Sequence, residues 1–205
     1  MNVLLINGSP HQKGSTFTAL NVISEALQEE GVETSFFHVG NKPVYGCIAC
    51  AQCIETKRCV LTGDRVNELI EAMAKADGII VGSPVYYAGP NGALCALLDR
   101  AFFLKDDLYA HKPAAAIVVC RRGGASSAFD RLNKYFTIAN MPVVSSQYWN
   151  AVHASKPEDV LQDREGVQIM RVLGKNMAWM LKSLKQSALP PPAAPEWDRM
   201  DFHHG

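Results

Sequence analysis

The chain carries no net charge, and it has no apolar stretch long enough to cross a membrane. Its 205 residues include 20 basic and 20 acidic side chains, so electrostatic capture of nucleic acid or of an anionic membrane surface is not expected. No apolar run approaches the roughly 20 residues that a membrane-spanning helix needs. The N-terminus enters an apolar strand pattern without the basic region and cleavage site of a secretory signal. We therefore expect a cytoplasmic protein that binds neither nucleic acid nor a membrane.

Two common nucleotide-binding motifs are also missing. No loop has the six-position glycine fingerprint of dinucleotide-binding folds, and none has the glycine–lysine pair of a P-loop. These absences argue against a Rossmann dehydrogenase and a nucleoside triphosphatase. The chain also shows no Ser-His-Asp grouping and no paired carboxylates in a credible site, which favours a protein whose cofactor carries the chemistry.

What the chain does contain is an alternation of apolar strand patterns and amphipathic helix patterns. The patterns predict strands over residues 2–7, 32–39, 78–81, 114–120 and near 143–146. Such alternation predicts an α/β fold with a doubly wound, five-stranded parallel sheet and helices on both faces. The flavodoxin-like strand order 2-1-3-4-5 is expected, and ligands of such sheets bind beyond the carboxyl ends of the strands.

One domain is predicted over residues 1–189, with a cysteine-rich insertion at 40–63 and a proline-rich C-terminal tail at 190–205. The insertion is long for a connection between a strand and a helix, and loops of this length are commonly functional. The tail contains four prolines, and we expect it to be extended, docked on a neighbour or disordered.

The first of three loops rich in glycine and serine covers residues 8–16 and joins a strand to a helix. Free amides at a helix N-terminus and the helix dipole both favour an anion such as phosphate. The alternative is that Ser15 only caps the helix, as serines often do.

The other two loops cover residues 82–92 and 121–127, after the third and fourth predicted strands. Tyr86 and Tyr87 in the second loop suit a flat, uncharged ring, or else they pack between helices. The predicted strand order makes all three loops neighbours at one edge of the sheet, so the sequence predicts a mononucleotide site there. The set points to FMN.

The combination of these motifs resembles the flavodoxin-like NAD(P)H-dependent FMN reductases over most of the chain, from about residue 1 to residue 187. The cysteine-rich insertion narrows the resemblance to the branch that contains the iron–sulfur flavoproteins. Members commonly form dimers or tetramers with the flavin near a subunit interface, so the resemblance implies a homodimer or a homotetramer. The motifs are Gly8-Ser9-Pro10, Gly14-Ser15-Thr16, Gly82-Ser83-Pro84-Val85-Tyr86-Tyr87 and Leu98-Asp99-Arg100.

The resemblance also implies which residues contact FMN. The first loop would hold the phosphate, the second would line the isoalloxazine, and the third would close over the other side of the ring. His11 could donate to the phosphate or face solvent, and Arg121 and Arg122 could attract a nucleotide phosphate or reduced flavin or simply be solvated. The candidate set is Ser9, His11, Ser15, Thr16, Phe17, Pro84, Val85, Tyr86, Tyr87, Asn91, Arg121, Gly123 and Gly124.

Three further predictions concern residues outside these loops. The motif at 147–150, which contains Tyr148 and Trp149, is similar to a family motif and is expected either near a flavin, that of this subunit or its partner's, or in the core. Asp99 and Arg100 are expected to make a structural or interface ion pair. Cys95 and Cys120 are expected to be small buried hydrophobic residues.

The insertion contains a C-x2-C-x2-C-x5-C pattern formed by Cys47, Cys50, Cys53 and Cys59. Thiolates at this density suit an iron–sulfur cluster, and the spacing is close to that of ferredoxins, with a longer last spacer. It matches the compact motif of the iron–sulfur flavoproteins. Structural zinc usually uses two separated C-x2-C pairs, and free thiols or a disulfide are the third alternative. We expect a [4Fe–4S] cluster ahead of these alternatives.

Taken together, the sequence predicts an FMN-dependent NAD(P)H oxidoreductase. Electrons would pass to a quinone, a flavin, oxygen, a metal ion or a ferredoxin-like protein, through the cluster if one is bound. One alternative is an electron carrier of the flavodoxin or iron–sulfur flavoprotein type without its own small-molecule substrate, although flavodoxins tend to be strongly acidic. Another is a flavin-dependent dehydrogenase of one metabolite.

Overall fold

The strands of the fold were identified in a computed structural model that describes residues 1–104 and 108–193. Five strands form a parallel sheet, and a two-residue strand pairs antiparallel with the end of the third. The strands are β1 (Asn2–Asn7), β2 (Glu33–His38), β3 (Gly78–Tyr86), β4 (Gly89–Pro90), β5 (Ala114–Cys120) and β6 (Ala151–His153).

The helices lie between the strands in sequence and cover both faces of the sheet. They are α1 (Ser15–Glu29), α2 (Gln52–Thr56), α3 (Val66–Lys75), α4 (Gly92–Phe102), α5 (Ala125–Ile138), α6 (Pro157–Val160) and α7 (Arg164–Gln186). None of the helices in the described part of the chain is long and apolar enough to cross a membrane.

The parallel strands are ordered β2-β1-β3-β5-β6, which confirms the predicted fold class and the predicted order. The strand β5 is buried along its whole length, as expected of a parallel strand covered on both faces. One apolar cluster joins the sheet to α3, α4 and α5, and a second joins it to α1 and α7. The doubly wound arrangement follows from these two clusters.

The fifth parallel strand lies later in the chain than predicted. Val143, in the predicted strand, makes only an isolated parallel bridge with Ala114, and the strand itself pairs with residues 118–120. Between the two pairings, the Asn150 side chain donates to the Ala116 carbonyl at 3.0 Å and occupies part of the edge of β5. The apolar pair Val143-Val144 therefore mimics a strand that in fact forms eight residues further on.

Two other boundaries differ from the predictions. The strand β3 continues to Tyr86 instead of ending at residue 81, so that the start of the second loop is strand. Residues 190–193 of the predicted tail are exposed and without regular structure, and the remainder of that prediction lies outside the described residues.

Candidate functional site

The first loop is held in shape by its own hydrogen bonds. The Ser9 amide donates to Asn7 Oδ1 at 3.1 Å, and the His11 amide donates to Ser9 Oγ at 3.1 Å. His38 Nε2, at the end of β2, lies 2.8 Å from the Ser9 carbonyl oxygen. Ser9 is buried. The loop is therefore ordered before any ligand arrives.

The N-terminus of α1 offers amides without partners in the helix. The first helical bond runs from the Thr18 amide to the Gly14 carbonyl at 3.1 Å, so the amides of Ser15, Thr16 and Phe17 have no acceptor in the preceding turn. The capping alternative for Ser15 is wrong, because Ser15 is the first helical residue and Gly14, which has no side chain, stands at the cap position. The arrangement is suited to an anion.

The first loop touches the end of β3 closely. The Gly8 amide donates to the Gly82 carbonyl at 2.8 Å. A Cβ at Gly8 would lie 2.5 Å from Leu94 Cδ2 and 2.9 Å from the Gly82 oxygen. Any side chain at position 8 would therefore separate the first loop from the second.

The second loop turns through two residues in the left-handed region. Tyr87 and Ala88 have φ values of 49° and 60°, and the turn allows Tyr86 to pair with Gly89. Tyr86 is 46% exposed and Tyr87 is fully exposed, so the alternative that both pack between helices is wrong. Their rings are available to a ligand or a partner.

The end of the second loop is fixed by Ser83 and Asn91. The Asn91 amide donates to Ser83 Oγ at 2.9 Å, and the Ala93 amide donates to Asn91 Oδ1 at 2.8 Å. Asn91 therefore caps α4 and is almost fully buried. Its side-chain oxygen is engaged in the helix, not directed at a ligand.

The third loop packs against the second. Gly124 has a φ of 86°, and a Cβ there would lie 2.7 Å from Ala88 Cα and 3.2 Å from Val85 Cγ1. Gly123, beside it, has open space around its Cα. The close approach at Gly124 brings the carboxyl ends of β3 and β5 together.

These loops border one cleft of about 790 Å³, within the usual range for ligand sites. A fourth loop, at residues 154–157 after β6, completes the border. Eight predicted residues line this cleft: Ser9, His11, Ser15, Thr16, Pro84, Val85, Tyr86 and Arg121. The other five predicted residues are not in the lining: Phe17, Tyr87, Asn91, Gly123 and Gly124.

Phe17 lies outside the cleft because its ring packs on β2. The ring centroids of Phe17 and Phe36 are 5.2 Å apart. The amide of Phe17 still belongs to the first turn of α1 and remains beside the loop. The backbone amide of Phe17, and not its side chain, is therefore placed to bind an anion.

The sequence prediction missed the fourth loop and its basic residue, Lys156. Lys156 lines the cleft together with Lys13 of the first loop, so two basic residues border the cleft. The prediction placed the fifth strand at residues 143–146. Residues 154–157, which follow the observed strand β6, were therefore not expected at the edge of the sheet. The pairing of β6 with β5 brings these residues to that edge.

The four cysteines of the insertion border one small pocket beside α4. Cys53, on α2, is nearly buried, whereas Cys47 and Cys50 are exposed. Burial raises the pKa of the Cys53 thiol, and the neighbouring Cys59 raises it further. The four thiols are therefore close enough to interact electrostatically.

The backbone of the insertion is strained next to the cysteines. Ala49, Ala51 and Lys57 have φ values of 52°, 59° and 56°, a region that side chains other than glycine seldom adopt. Two of these residues flank Cys50 directly. The Ala49 amide donates to Cys47 Sγ at 3.4 Å. Strain of this kind commonly marks functional sites.

A buried arginine closes the pocket. Arg100, on the last turn of α4, is 2% exposed and makes an ion pair with Asp64. It donates to Cys59 Sγ from both Nε and Nη2, each at 3.2 Å. The remaining bonds go to the Tyr45 carbonyl at 3.2 Å and the Leu61 carbonyl at 2.6 Å. All five N–H groups of the guanidinium are thereby used.

Asp64 ties the same region to α3. Its carboxylate accepts from the Tyr45 amide at 2.9 Å and from the Val66 amide at 3.2 Å. Burial alone would raise the pKa of Asp64, but the hydrogen bond and charge of Arg100 and the two amides hold the pKa below its usual value. Asp64 is therefore ionised and paired at neutral pH.

Asp99 and Arg100 both form ion pairs, as predicted, but with separate partners. Asp99 accepts from Arg131 Nη2 at 3.1 Å and from the Tyr135 hydroxyl at 2.5 Å, between α4 and α5. The two residues are adjacent in sequence, but neither one contacts the partner of the other. The two pairs stabilise different contacts of α4.

Two other predictions can be compared with the structure. Tyr148 and Trp149 are 61% and 59% exposed, with ring centroids 5.2 Å apart, so their placement in the core is wrong. Cys120 is buried and Cys95 half-buried, and burial raises the pKa of both thiols. Cys120 also lines the cleft.

Sequence comparison identifies relatives along nearly the whole chain. A family model described as NADPH-dependent FMN reductase matches residues 1–156. An iron–sulfur flavoprotein of Methanocaldococcus jannaschii is 33% identical over 194 residues, covering 91% of this chain and 100% of the relative. An FMN reductase (NADPH) of Pseudomonas putida is 27% identical over 188 residues, covering 91% of this chain and 82% of the relative.

Comparison with solved structures supports the fold. A flavodoxin from the domain Archaea superposes with a TM-score of 0.60 at 15% identity, covering 89% of this chain and 99% of the flavodoxin. At this identity the likeness concerns the fold and not the chemistry.

Proposed function

The chain belongs to the NADPH-dependent FMN reductase family, and from that membership we propose an FMN-dependent NAD(P)H oxidoreductase that hands electrons on through its cysteine segment, defined as residues 45–64. The oxidoreductase class and a bound flavin follow from the family. The electron acceptor, the cluster and the residue roles given below are proposals. The observation that carries them is the convergence of four strand-end loops on one cleft beside unpaired helix amides.

The cleft has the features that an FMN phosphate requires. The amides of residues 15–17 and the ordered loop at Ser9 would hold the phosphate, and Lys13 and Lys156 add positive charge to the lining of the cleft. The close approach at Gly8 keeps the first loop in contact with the end of β3.

The other end of the cleft suits a flat ring. Pro84, Val85 and Tyr86 form one wall and Arg121 lies at the border, so an isoalloxazine would lie between the second and third loops. When bound, FMN accepts a hydride from NAD(P)H and releases electrons singly or in pairs. The protein contributes by orienting the ring, excluding water from one face and placing a cation near it.

The cysteine segment has the donor set of an iron–sulfur cluster. Four thiols border one pocket, and a bound [4Fe–4S] cluster would exchange single electrons. Within the described residues, no group of three or more His, Cys, Asp or Glu side chains is arranged to hold a metal ion. The preference for a cluster over zinc therefore rests on the cysteine spacing, since structural zinc usually uses two separated C-x2-C pairs.

The proposed acceptor is a small molecule or a ferredoxin-like protein. We expect a cytoplasmic homodimer or homotetramer, in which the exposed pair Tyr148 and Trp149 would lie near a flavin. The full-length relation to an iron–sulfur flavoprotein supports a chain with both redox groups. The relation to an FMN reductase supports reduction by a nicotinamide nucleotide.

The test is cofactor analysis of protein prepared without oxygen. We expect one FMN and about four iron and four sulfide per chain, with oxidation of NADH or NADPH in the presence of an acceptor. Cys50→Ser should lose iron and keep FMN, whereas the matched variant Cys95→Ser, which changes a thiol outside the cysteine segment, should keep both. Colourless protein that takes up no added FMN would refute the proposal.

A second candidate is an electron carrier without a substrate of its own. It is favoured by the relatives called iron–sulfur flavoproteins, since that name states two redox groups and no substrate. Steady-state kinetics separates the candidates. Flavin binding without NADH or NADPH turnover on any acceptor would identify a carrier.

A further inference from the structure

Arg100 is fully desolvated, and the acceptors around it come from both ends of the cysteine segment. The Tyr45 carbonyl lies before the first cysteine, whereas Cys59, Leu61 and Asp64 lie after the third. One guanidinium on a regular helix therefore fixes the entry and the exit of an otherwise irregular segment. The ion pair with Asp64 balances its charge.

The contact with Cys59 is unusual for an arginine that only stabilises the fold. A neutral thiol sulfur is a weak acceptor, yet two of the five N–H groups are directed at Cys59 Sγ, each at 3.2 Å. A carbonyl oxygen would satisfy buried donors better. Two donors directed at one sulfur fix its position and would offset the negative charge of a cysteine bound to a metal.

We propose that Arg100 is a positioning residue that holds Cys59 as the fourth cluster ligand and, through two N–H···S bonds, raises the reduction potential of the cluster. The inference rests on the proposed function, since it assumes a cluster in the cysteine segment. Donors to ligand sulfurs offset the negative charge added on reduction, so they favour the reduced form. Outer contacts of this kind also orient the ligand and strengthen metal binding.

The test compares Arg100→Lys with wild type and with Arg58→Gln. Lysine keeps the charge but lacks the planar fork that reaches one sulfur twice. Arg58 is the matched control, because it adjoins Cys59 in sequence, is exposed and pairs with Glu71 at 2.5 Å without a bond to sulfur. Two quantities are measured in the holoprotein: the rate of iron loss to a chelator and the midpoint potential of the cluster, with that of FMN as internal reference.

Arg100→Lys should lose iron at least tenfold faster than wild type. Its one-electron reduction constant should fall about tenfold, which corresponds to a midpoint potential about 59 mV more negative. The FMN potential and the FMN content should not change. Arg58→Gln should match wild type in every measurement.

A second variant covers the case in which Arg100→Lys fails to fold. Asp64→Asn combined with Arg100→Gln removes both buried charges and leaves no unpaired ion. Folding is checked by circular dichroism and by FMN content. This variant should bind FMN as wild type does and still show the faster iron loss and the lower potential.

Three results would overturn the inference. If wild type holds a cluster and the folded Arg100 variants keep its iron and its potential, the role of Arg100 is refuted while the proposed function stands. If Arg58→Gln shifts the potential as much as Arg100→Lys, the shift is not specific to the two N–H···S bonds and the role of Arg100 is refuted. If wild type binds FMN but takes up no iron and sulfide, the cluster and the role of Arg100 fail together.

Discussion

The cleft that is proposed to bind FMN and the cysteine segment are built by opposite means. The cleft is made of backbone: helix amides, glycines at close approach and strand ends that the sheet order brings together. The cysteine segment has little regular structure, and side chains hold it, above all the buried pair of Arg100 and Asp64. The first site is determined by topology and the second by a few specific contacts.

The two sites are therefore sensitive to different kinds of substitution. A backbone site is damaged by added atoms, because a methyl group at a close contact displaces a loop. A side-chain site is damaged by removed atoms, because a buried ion that loses its partner keeps its desolvation cost. The predictions below test this contrast, beginning with the largest effect.

Removing the guanidinium should give the largest loss of stability. Arg100→Met leaves the buried carboxylate of Asp64 without its cationic partner, so the free energy of unfolding should fall by about 3–5 kcal/mol. Urea unfolding of the metal-free protein, followed by circular dichroism, measures this. Adding Asp64→Asn should restore part of the loss. A double variant as unstable as the single one would contradict the ion-pair explanation.

An added methyl group should have the next largest effect, on the cleft. Gly124→Ala places a Cβ 2.7 Å from Ala88 Cα at a φ of 86°, and the left-handed strain together with the contact should cost about 2–3 kcal/mol. FMN binding, measured by quenching of flavin fluorescence, should weaken as the third loop moves. Gly123→Ala, with open space around it, is the control and should bind FMN normally.

Removing one charge at the cleft should have a smaller effect. Lys156→Gln takes away an exposed ammonium group beside the proposed phosphate position, and the loss of about 1 kcal/mol corresponds to roughly fivefold weaker FMN binding. The difference should shrink at high salt, because exposed charges are screened. Lys185→Gln, away from the cleft on the last turn of α7, should leave the affinity unchanged at every salt concentration.

The protonation of Asp64 in mild acid should have the smallest effect. The pKa of Asp64 is lowered in the folded chain, so its pairing stabilises the fold above the unfolded pKa and is lost as the pH falls through the folded pKa. The loss from this group should be only about 0.3 kcal/mol at pH 4, and it should steepen below that pH. Urea midpoints from pH 7 to pH 3 test the sign. Asp64→Asn with Arg100→Gln should lack this contribution.

The same contrast explains what the sequence could predict. The strands that end in the first three loops follow from apolar runs and glycine punctuation, and eight of the thirteen candidate residues line the cleft. The fourth loop was missed because the Asn150 side chain, rather than a continuous ladder, shapes the edge of the sheet. The hydrophobic periodicity of the sequence does not indicate such a contact.

The cysteine segment was recognised from its spacing, but the contacts that hold it were not. Nothing in the local sequence indicates that Arg100 lies against Cys59, because the two residues are 41 positions apart and meet only when α4 packs beside the segment. In the same way, the local sequence does not show that position 124 requires glycine, because the close contact there is with Ala88 in another loop.

The helix α4 has a mechanical consequence. It starts after Asn91, at the end of the second loop, and carries Arg100 on its last turn, so about nine residues at 1.5 Å each make it a rigid spacer of roughly 14 Å. Inserting or deleting a residue in it would rotate Arg100 by about 100° away from Cys59 and shift it along the axis. The length of α4 is therefore under joint constraint from both sites, and the two can diverge in sequence only while that length is kept.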